Sequence, residues 1–338
     1  MDFEVDDIEQ RASAGTLPPW DDVESLVHAA YERNRDVDEG DVADYIPILG
    51  EADPALFGVA VVEVDGSVHD AGDVDRLFSI QSISKAFVYA LACEELGHQP
   101  VLDRIGVNNT GLPFNSVMAI ELNDGHPLNP MVNAGAIATT ALVPGDDADA
   151  QWAFIVAGLS RFAGRALQLD DLVYRSEAAT NQRNRAIARL LESYGRLERD
   201  PLEAVDVYTK QCALLVNAHD LAVMGATLAD GGVNPITGVR VVSAEVCRDT
   251  LAVLAANGLY ERSGEWLFEI GLPGKSGVAG GIVTVSPGKA GIGTYSPRLD
   301  SAGNSVRGQR ATAHLSRSLG LNIFASAPHE RTQERSQP

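Results

Sequence analysis

The segments that read as β-strand lie at opposite ends of the sequence, so whatever fold the chain adopts has to bring them together. Near the N-terminus, ALFGVAVVEVDGSVHDAG (55–72) gives an apolar run, an Asp65-Gly66 turn and a return strand, the pattern of a β-hairpin. Further short β-runs, EWLFEIG (265–271), GGIVTVSP (280–287) and KAGIGTYSP (289–297), come only in the final third, separated by glycine and proline. Between them, from about 98 to 255, the chain reads as helix and loop, with helices expected at 151–163, 184–194, 201–215 and 220–229. A helix from Asp21 to about Arg33 precedes the hairpin, and one over about 308–319 follows the last strand. This order predicts an α+β fold: an antiparallel sheet with flanking helices, built from both chain ends, plus an inserted helical lobe and a cleft between the two. Residues 1–20 are expected as an N-terminal polar arm, 21–325 as a single domain and 326–338 as a disordered tail.

Composition narrows the function classes. With 338 residues, 45% apolar and 22% charged, the chain suits a soluble globular protein. The acidic N-terminal stretch has no apolar core of a leader, and no run approaches the roughly 18 apolar residues of a membrane span, so a cytoplasmic location is expected. Three cysteines, Cys93, Cys212 and Cys247, lack paired spacing, which argues against a disulfide framework or a zinc site and leaves them as small buried residues. The net charge of −21 repels nucleic acid and anionic membrane, so neither is expected as a partner. Only four of the 26 basic residues are lysine. Acidity with scarce lysine fits a salt-rich habitat, and equally a GC-rich genome writing Arg for Lys. Activity measured against NaCl decides: activity that holds to molar salt supports adaptation, and collapse well below it removes that reading.

One of the four lysines stands in LFSIQSISKAF (77–87), three residues after Ser82 at the start of a predicted helix that Gly97 ends. Residues i and i+3 share a helix face, so Ser82 and Lys85 fall side by side. A serine hydroxyl is a weak nucleophile until a base takes its proton. A lysine does so once burial or a nearby cation leaves it neutral, whereas arginine stays protonated, which explains a lysine in an arginine-rich chain. In the first turn the backbone N–H of Ser82 is also free to donate to an oxyanion. The spacing alone is weak, since it arises by chance in about one such chain in three or four.

A second lysine, Lys275, lies in GLPGKSGVAGG (271–281), placing Lys-Ser-Gly on a strand beside the nucleophile helix. The glycines admit a substrate close to the backbone, and the N–H near Val278 pairs with that of Ser82 as an oxyanion hole. A phosphate loop is excluded, because the glycine its pattern needs is Glu269 and a strand, not a helix, follows. A plain glycine hairpin is the other reading of this stretch.

Together with NPMVNAGAI (129–137), SEAATNQRN (176–184), VYTKQC (207–212) and SAGNSVRG (301–308), these segments occur in an order that resembles the serine-dependent glutaminase family, related in fold to serine β-lactamases and penicillin-binding proteins. The resemblance runs from about 22 to 325. It implies a β-lactamase-like fold and hydrolysis of L-glutamine to L-glutamate and ammonia through an acyl-enzyme, with no metal or organic cofactor, in a homodimer or homotetramer. Motif by motif it implies Ser82 as nucleophile and Lys85 as its base partner. It implies Tyr45, Asn133, Glu177 and Asn184 as substrate-binding residues, and Tyr208, Tyr260 and the Val278 backbone as the rest of the site. Asn108-Asn109-Thr110 and Ala178–Asn181 depart from the family pattern without touching a named residue.

The implied roles suit a zwitterion, which needs an acid for its ammonium (Glu177) and donors for its carboxylate (Asn133, Asn184, Tyr45). Tyr208 is assigned to the proton relay and Tyr260 to the oxyanion side. Without the resemblance, Tyr45 reads as a packing residue, Asn133 as a turn former, Glu177 as a first-turn acid, and Tyr208 and Tyr260 as core or rim residues. A penicillin-recognising acylase is the neighbouring class, disfavoured because the helical region holds no S-x-N. A catalytically silent interaction module is disfavoured because every residue matching the family's site is present.

Overall fold

The structure, a computed structural model, describes residues 3–328. Its centre is a five-stranded sheet in the order Val68–Gly72, Gly58–Glu63, Ala290–Tyr295, Gly281–Ser286, Gly274–Ser276, every neighbouring pair antiparallel. The join between chain ends is the pairing of Gly58–Glu63 with Ala290–Tyr295, in register Val59 opposite Thr294. The hairpin forms as expected, with Gly66 at φ 91° in its turn.

Both faces of the sheet are covered, which is why its strands read as continuous apolar runs. Val59, Val61, Ile282 and Ile292 point to one face, against the helices Trp20–Asn34 and Val306–Ser318. Ala60, Val62, Val283 and Val285 point to the other, which the helix Ala218–Ala229 covers. The two sets alternate along each strand, as the period of two requires. Each fully buried Val or Ile contributes about 1.5–3 kcal/mol relative to exposure. A capping box starts the covering helix: Asn217 accepts from Asp220 N at 2.7 Å, and Asp220 accepts from Asn217 N at 2.9 Å.

Most of the intervening chain is helical, with helices at Ala148–Ala163, Gln182–Ser193 and Pro201–Cys212 close to their expected bounds. Two expectations fail. EWLFEIG is not a strand but lies in the helix Ser263–Glu269 and its end: Trp266 and Ile270, four apart, are buried, while Phe268 is 83% exposed. The apolar set Trp266, Leu267, Phe268 and Ile270 is too short to fix a period, and tertiary burial chose the helix. The expected polar arm also carries apolar anchors, since Phe3 and Val5 are buried in the cluster beneath the terminal helices and Arg33 pairs with Asp7 at 2.6 Å. Of the expected tail, 329–338 lies outside the described residues. No helix among the described residues is long and apolar enough to cross a membrane.

The helix Ala218–Ala229 rests on the sheet at backbone distance because Gly291 has no side chain. A Cβ there would stand 2.1 Å from Ala226 N and 2.2 Å from Ala222 O. Gly291→Val is therefore expected to lower stability by about 1–3 kcal/mol through overpacking. The urea midpoint should fall with an unchanged slope.

Candidate active site

The short strand Phe78–Ser79 ends in a sharp turn. Ile80 N donates to Leu214 O at 2.8 Å, and Gln81 then takes a left-handed conformation at φ 50°. A 3-10 turn, Gln81–Ile83, carries Ser82 and leads into the helix Ser84–Leu96. Every residue of that helix from Ser84 to Cys93 is buried, so it has no polar face along this stretch. A left-handed non-glycine residue costs about 1–3 kcal/mol, and it is held here by bonds from Gln81 Nε2 to Ser79 Oγ (3.1 Å) and Glu177 Oε2 (3.4 Å).

Ser82 opens into a cavity of about 160 Å3 whose walls include Tyr45, Asn133, Glu177, Asn184, Tyr208 and Val278. Seven of the nine residues singled out in the sequence thus meet in one small chamber. The other two stand directly behind it. Lys85 Nζ donates to Asn133 Oδ1 at 2.8 Å and to Met131 O at 3.1 Å. The Tyr260 hydroxyl donates to Ser276 O at 3.2 Å, with Ser82 close enough to act on its phenol. Tyr208 lies beside Cys212 in the cavity wall.

Two polar chains fix the orientation of these groups. Since Asn133 Oδ1 accepts from Lys85, its Nδ2 donates, and does so to Asn184 Oδ1 at 2.8 Å. Asn184 Nδ2 is thereby the donor that this chain does not use. On the opposite wall, Gly280 N donates to Gly277 O at 2.9 Å, closing a turn with Val278 second in it. Such a turn uses the N–H of its last residue and not of its second, leaving Val278 N–H for another acceptor. Gly280 sits at φ 104°, where a Cβ would meet Ser296 O at 2.3 Å, so the turn needs glycine there.

Burial sets the charge states. It pushes the Lys85 amine down to about 8, with Cys212 and Glu177 acting in the opposite sense. It pushes the Glu177 carboxyl up to about 7, against the pull of Gln81 and Lys85. The Tyr208 phenol is raised by burial above its ordinary range, and so is that of Tyr260, there opposed by Ser82. Lys275 is fully buried and pushed well down by that burial and by Lys85; its Nζ donates to Ser276 O at 2.8 Å and lies 4.3 Å from the Tyr260 ring centre. Among the described residues no group of three His, Cys, Asp or Glu is arranged to hold a metal.

Gln81, Phe114, Asn115, Asn181, Arg183 and Cys212 also line the cavity and were not singled out in the sequence. Four lie inside a recognised segment: Gln81 next to Ser82, Asn181 and Arg183 within 176–184, Cys212 at the end of 207–212; Phe114 and Asn115 lie in none of them. Proximity in sequence was the available signal, but which neighbours turn inward depends on the loop geometry.

Comparison with known proteins agrees with this geometry. The family model described as Glutaminase matches residues 40–324. A protein named Glutaminase 2 from Yersinia pestis is 55% identical over 94% of this chain and 93% of its own. A Glutaminase from Brucella canis is 52% identical over 89% of this chain and 96% of its own. A solved structure described as probable glutaminase ybaS superposes with a TM-score of 0.90 at 49% identity, covering 91% of this chain and 99% of that one. A Bacillus glutaminase solved in 4.3 M NaCl superposes at 0.81 and 34% identity, covering 89% and 99%. With the family model spanning most of the sequence and relatives this similar along nearly all of it, the chain belongs to the glutaminase family.

Proposed function

We propose that the cavity hydrolyses L-glutamine to L-glutamate and ammonia through an ester on Ser82. The glutaminase relatives support the reaction, and the observation that carries the mechanism is the hydrogen bonding of Lys85. A neutral amine has two N–H groups and one lone pair. Both N–H groups have acceptors, Asn133 Oδ1 and Met131 O, so the lone pair is what the neutral form has left for the Ser82 proton. With a pKa of about 8, about 10% of Lys85 is neutral at pH 7, against about 0.03% for an exposed lysine.

In this reading Lys85 takes the hydroxyl proton as Ser82 attacks the γ-carbonyl, and the N–H groups of Ser82 and Val278 hold the oxyanion. Glu177 receives the substrate ammonium, and Asn184 and Asn133 donate to the carboxylate, with Tyr45, 59% exposed, at the mouth. The relay to the departing ammonia falls to Tyr260, whose phenol is acted on by Ser82, rather than to Tyr208. Water then enters and the same groups reverse their roles. The reading includes a cytoplasmic homo-oligomer, dimer or tetramer, supplied by the family resemblance; sedimentation reads the assembly directly.

Ser82→Ala is expected to lower ammonia release from glutamine by at least about a thousandfold, and Lys85→Arg to do nearly the same because arginine stays protonated. A mutant as active as the parent sinks the assignment of the nucleophile. Both Glu177 and Lys85 must lose a proton, so kcat/KM should rise with pH through limbs near 7 and 8. A profile flat between about pH 6 and 9 contradicts these assignments.

Glu177→Gln removes a charge from the ammonium site while keeping its shape. The expected result is a KM raised about 10- to 100-fold with kcat changed far less, the mark of binding lost equally from ground and transition states. Its pH profile should lose the limb near 7 and keep the one near 8.

A further inference from the structure

Two aromatic rings separate the site from a second cavity behind it. Phe114 and Tyr260 meet there with ring centres 4.9 Å apart at 43°. Phe114 lines the cavity of Ser82 on one side and this one, also of about 160 Å3, on the other. Its loop is tied to the site, since Asn133 N donates to Phe114 O at 2.8 Å. Tyr260 and Met131, whose carbonyl accepts from Lys85, line the second cavity too.

The lining suits a small cation. Among the residues that form it Glu261, exposed at the rim, carries the one charge, and there is no lysine or arginine. Asn257 is nine-tenths buried: its Nδ2 donates to Val107 O at 3.1 Å and Val253 O at 3.2 Å, while its Oδ1 has no partner. A buried acceptor without a donor is costly, and a ligand that donates removes the cost. Asn109 and Thr110, from the stretch that departs from the family's pattern, belong to the same wall.

We propose that this second cavity is the exit and binding site of the leaving nitrogen, which crosses the partition as ammonia and is held at the rim as ammonium. The inference rests on the acyl-enzyme reading above. Acylation breaks the C–N bond of the γ-amide; the nitrogen keeps its two hydrogens, takes a third from Tyr260 and leaves as ammonia. The glutamyl ester occupies the first cavity until water has cleaved it, so the nitrogen does not retrace the path of the substrate. It departs on the side of the group that protonated it, past Tyr260 and the Phe114 ring turned aside. Solvent water at the exposed rim supplies the fourth proton. The ammonium, a donor at every hydrogen, then meets Asn257 Oδ1, the Glu261 carboxylate and the aromatic faces, all of which attract it. No redox change occurs.

Ammonia that leaves by this route also re-enters by it, so the reverse step is the one to measure. The protein turns over unlabelled L-glutamine at about pH 8, where Lys85 titrates, in ammonium chloride labelled with heavy nitrogen, and NaCl holds the ionic strength constant. Mass spectrometry quantifies labelled glutamine against glutamate. Bound ammonium gives a ratio that saturates with its concentration, whereas entry from bulk water gives a linear one. Gly264→Phe narrows the cavity without a clash, since a Cβ there meets no atom within 4 Å, and should cut the ratio at least about tenfold, worth about 1.4 kcal/mol. Glu261→Lys, at an exposed position, reverses the charge of the rim and should raise the half-saturating ammonium concentration about threefold or more. A linear ratio, hydrolysis with no label in glutamine, or saturation unmoved by Glu261→Lys overturns the exit cavity alone, and the nitrogen then leaves over Tyr45. Glutamine hydrolysis by Ser82→Ala at the parent's rate overturns the acyl-enzyme reading with it.

Discussion

A lysine amine with almost no access to water is the constraint from which the rest of the site follows. An ammonium buried without a carboxylate against it is costly, and the structure meets that cost by surrounding Lys85 with acceptors suited to a neutral amine. Those acceptors stand at the start of the helix Asn133–Leu142, so the helix bearing Lys85 has to dock there. The loop that presents the Met131 carbonyl is itself fixed by Asn129 Oδ1, which accepts from Met131 N and Val132 N at 3.0 and 3.2 Å. One amine thus aligns two helices and a loop, and through Asn133 and Asn184 it orients the far wall of the cavity.

Two of the four described non-glycine residues at positive φ stand at the same serine: Gln81 precedes it and Tyr260 lies beside it, at φ 50° and 54°. Each is over-determined by its surroundings. The Gln81 amide is held by Ser79 and Glu177, while Ser263 Oγ donates to Tyr260 O at 2.8 Å and accepts from Leu259 N at 3.0 Å. Strain kept in this way aims a side chain that a relaxed turn would point elsewhere.

Much of this was legible in the sequence because local and global signals agree there. The hairpin at 55–72, Ser82 at a helix start and the two-ended sheet all rest on turn chemistry and periodicity that tertiary packing reinforces. The residues of the site were recognised from ordered segments, and they converge in space. What was not legible depends on burial. EWLFEIG is a short apolar run that reads as a strand, yet Trp266 and Ile270 pack as a helix does, and so short a run has no period to separate the two. The burial of every residue from Ser84 to Cys93 likewise depends on how neighbouring elements close over that stretch of the helix.

The sheet's construction from both ends bears on how the protein is made. On a ribosome, Ser82 and Lys85 emerge early, followed by the acceptors at Met131 and Asn133, while Val278 and the central strand Ala290–Tyr295 come some two hundred residues after the serine. Until that strand arrives, Gly58–Glu63 has an open edge and the cavity wall at Val278 does not exist. Pairings so distant along the chain are slow to form, because loop closure precedes any reward from contact. Synthesis therefore acts as a timer: Ser82 is present through most of translation, and the cavity around it closes only when the last fifth of the polypeptide has folded back onto the first.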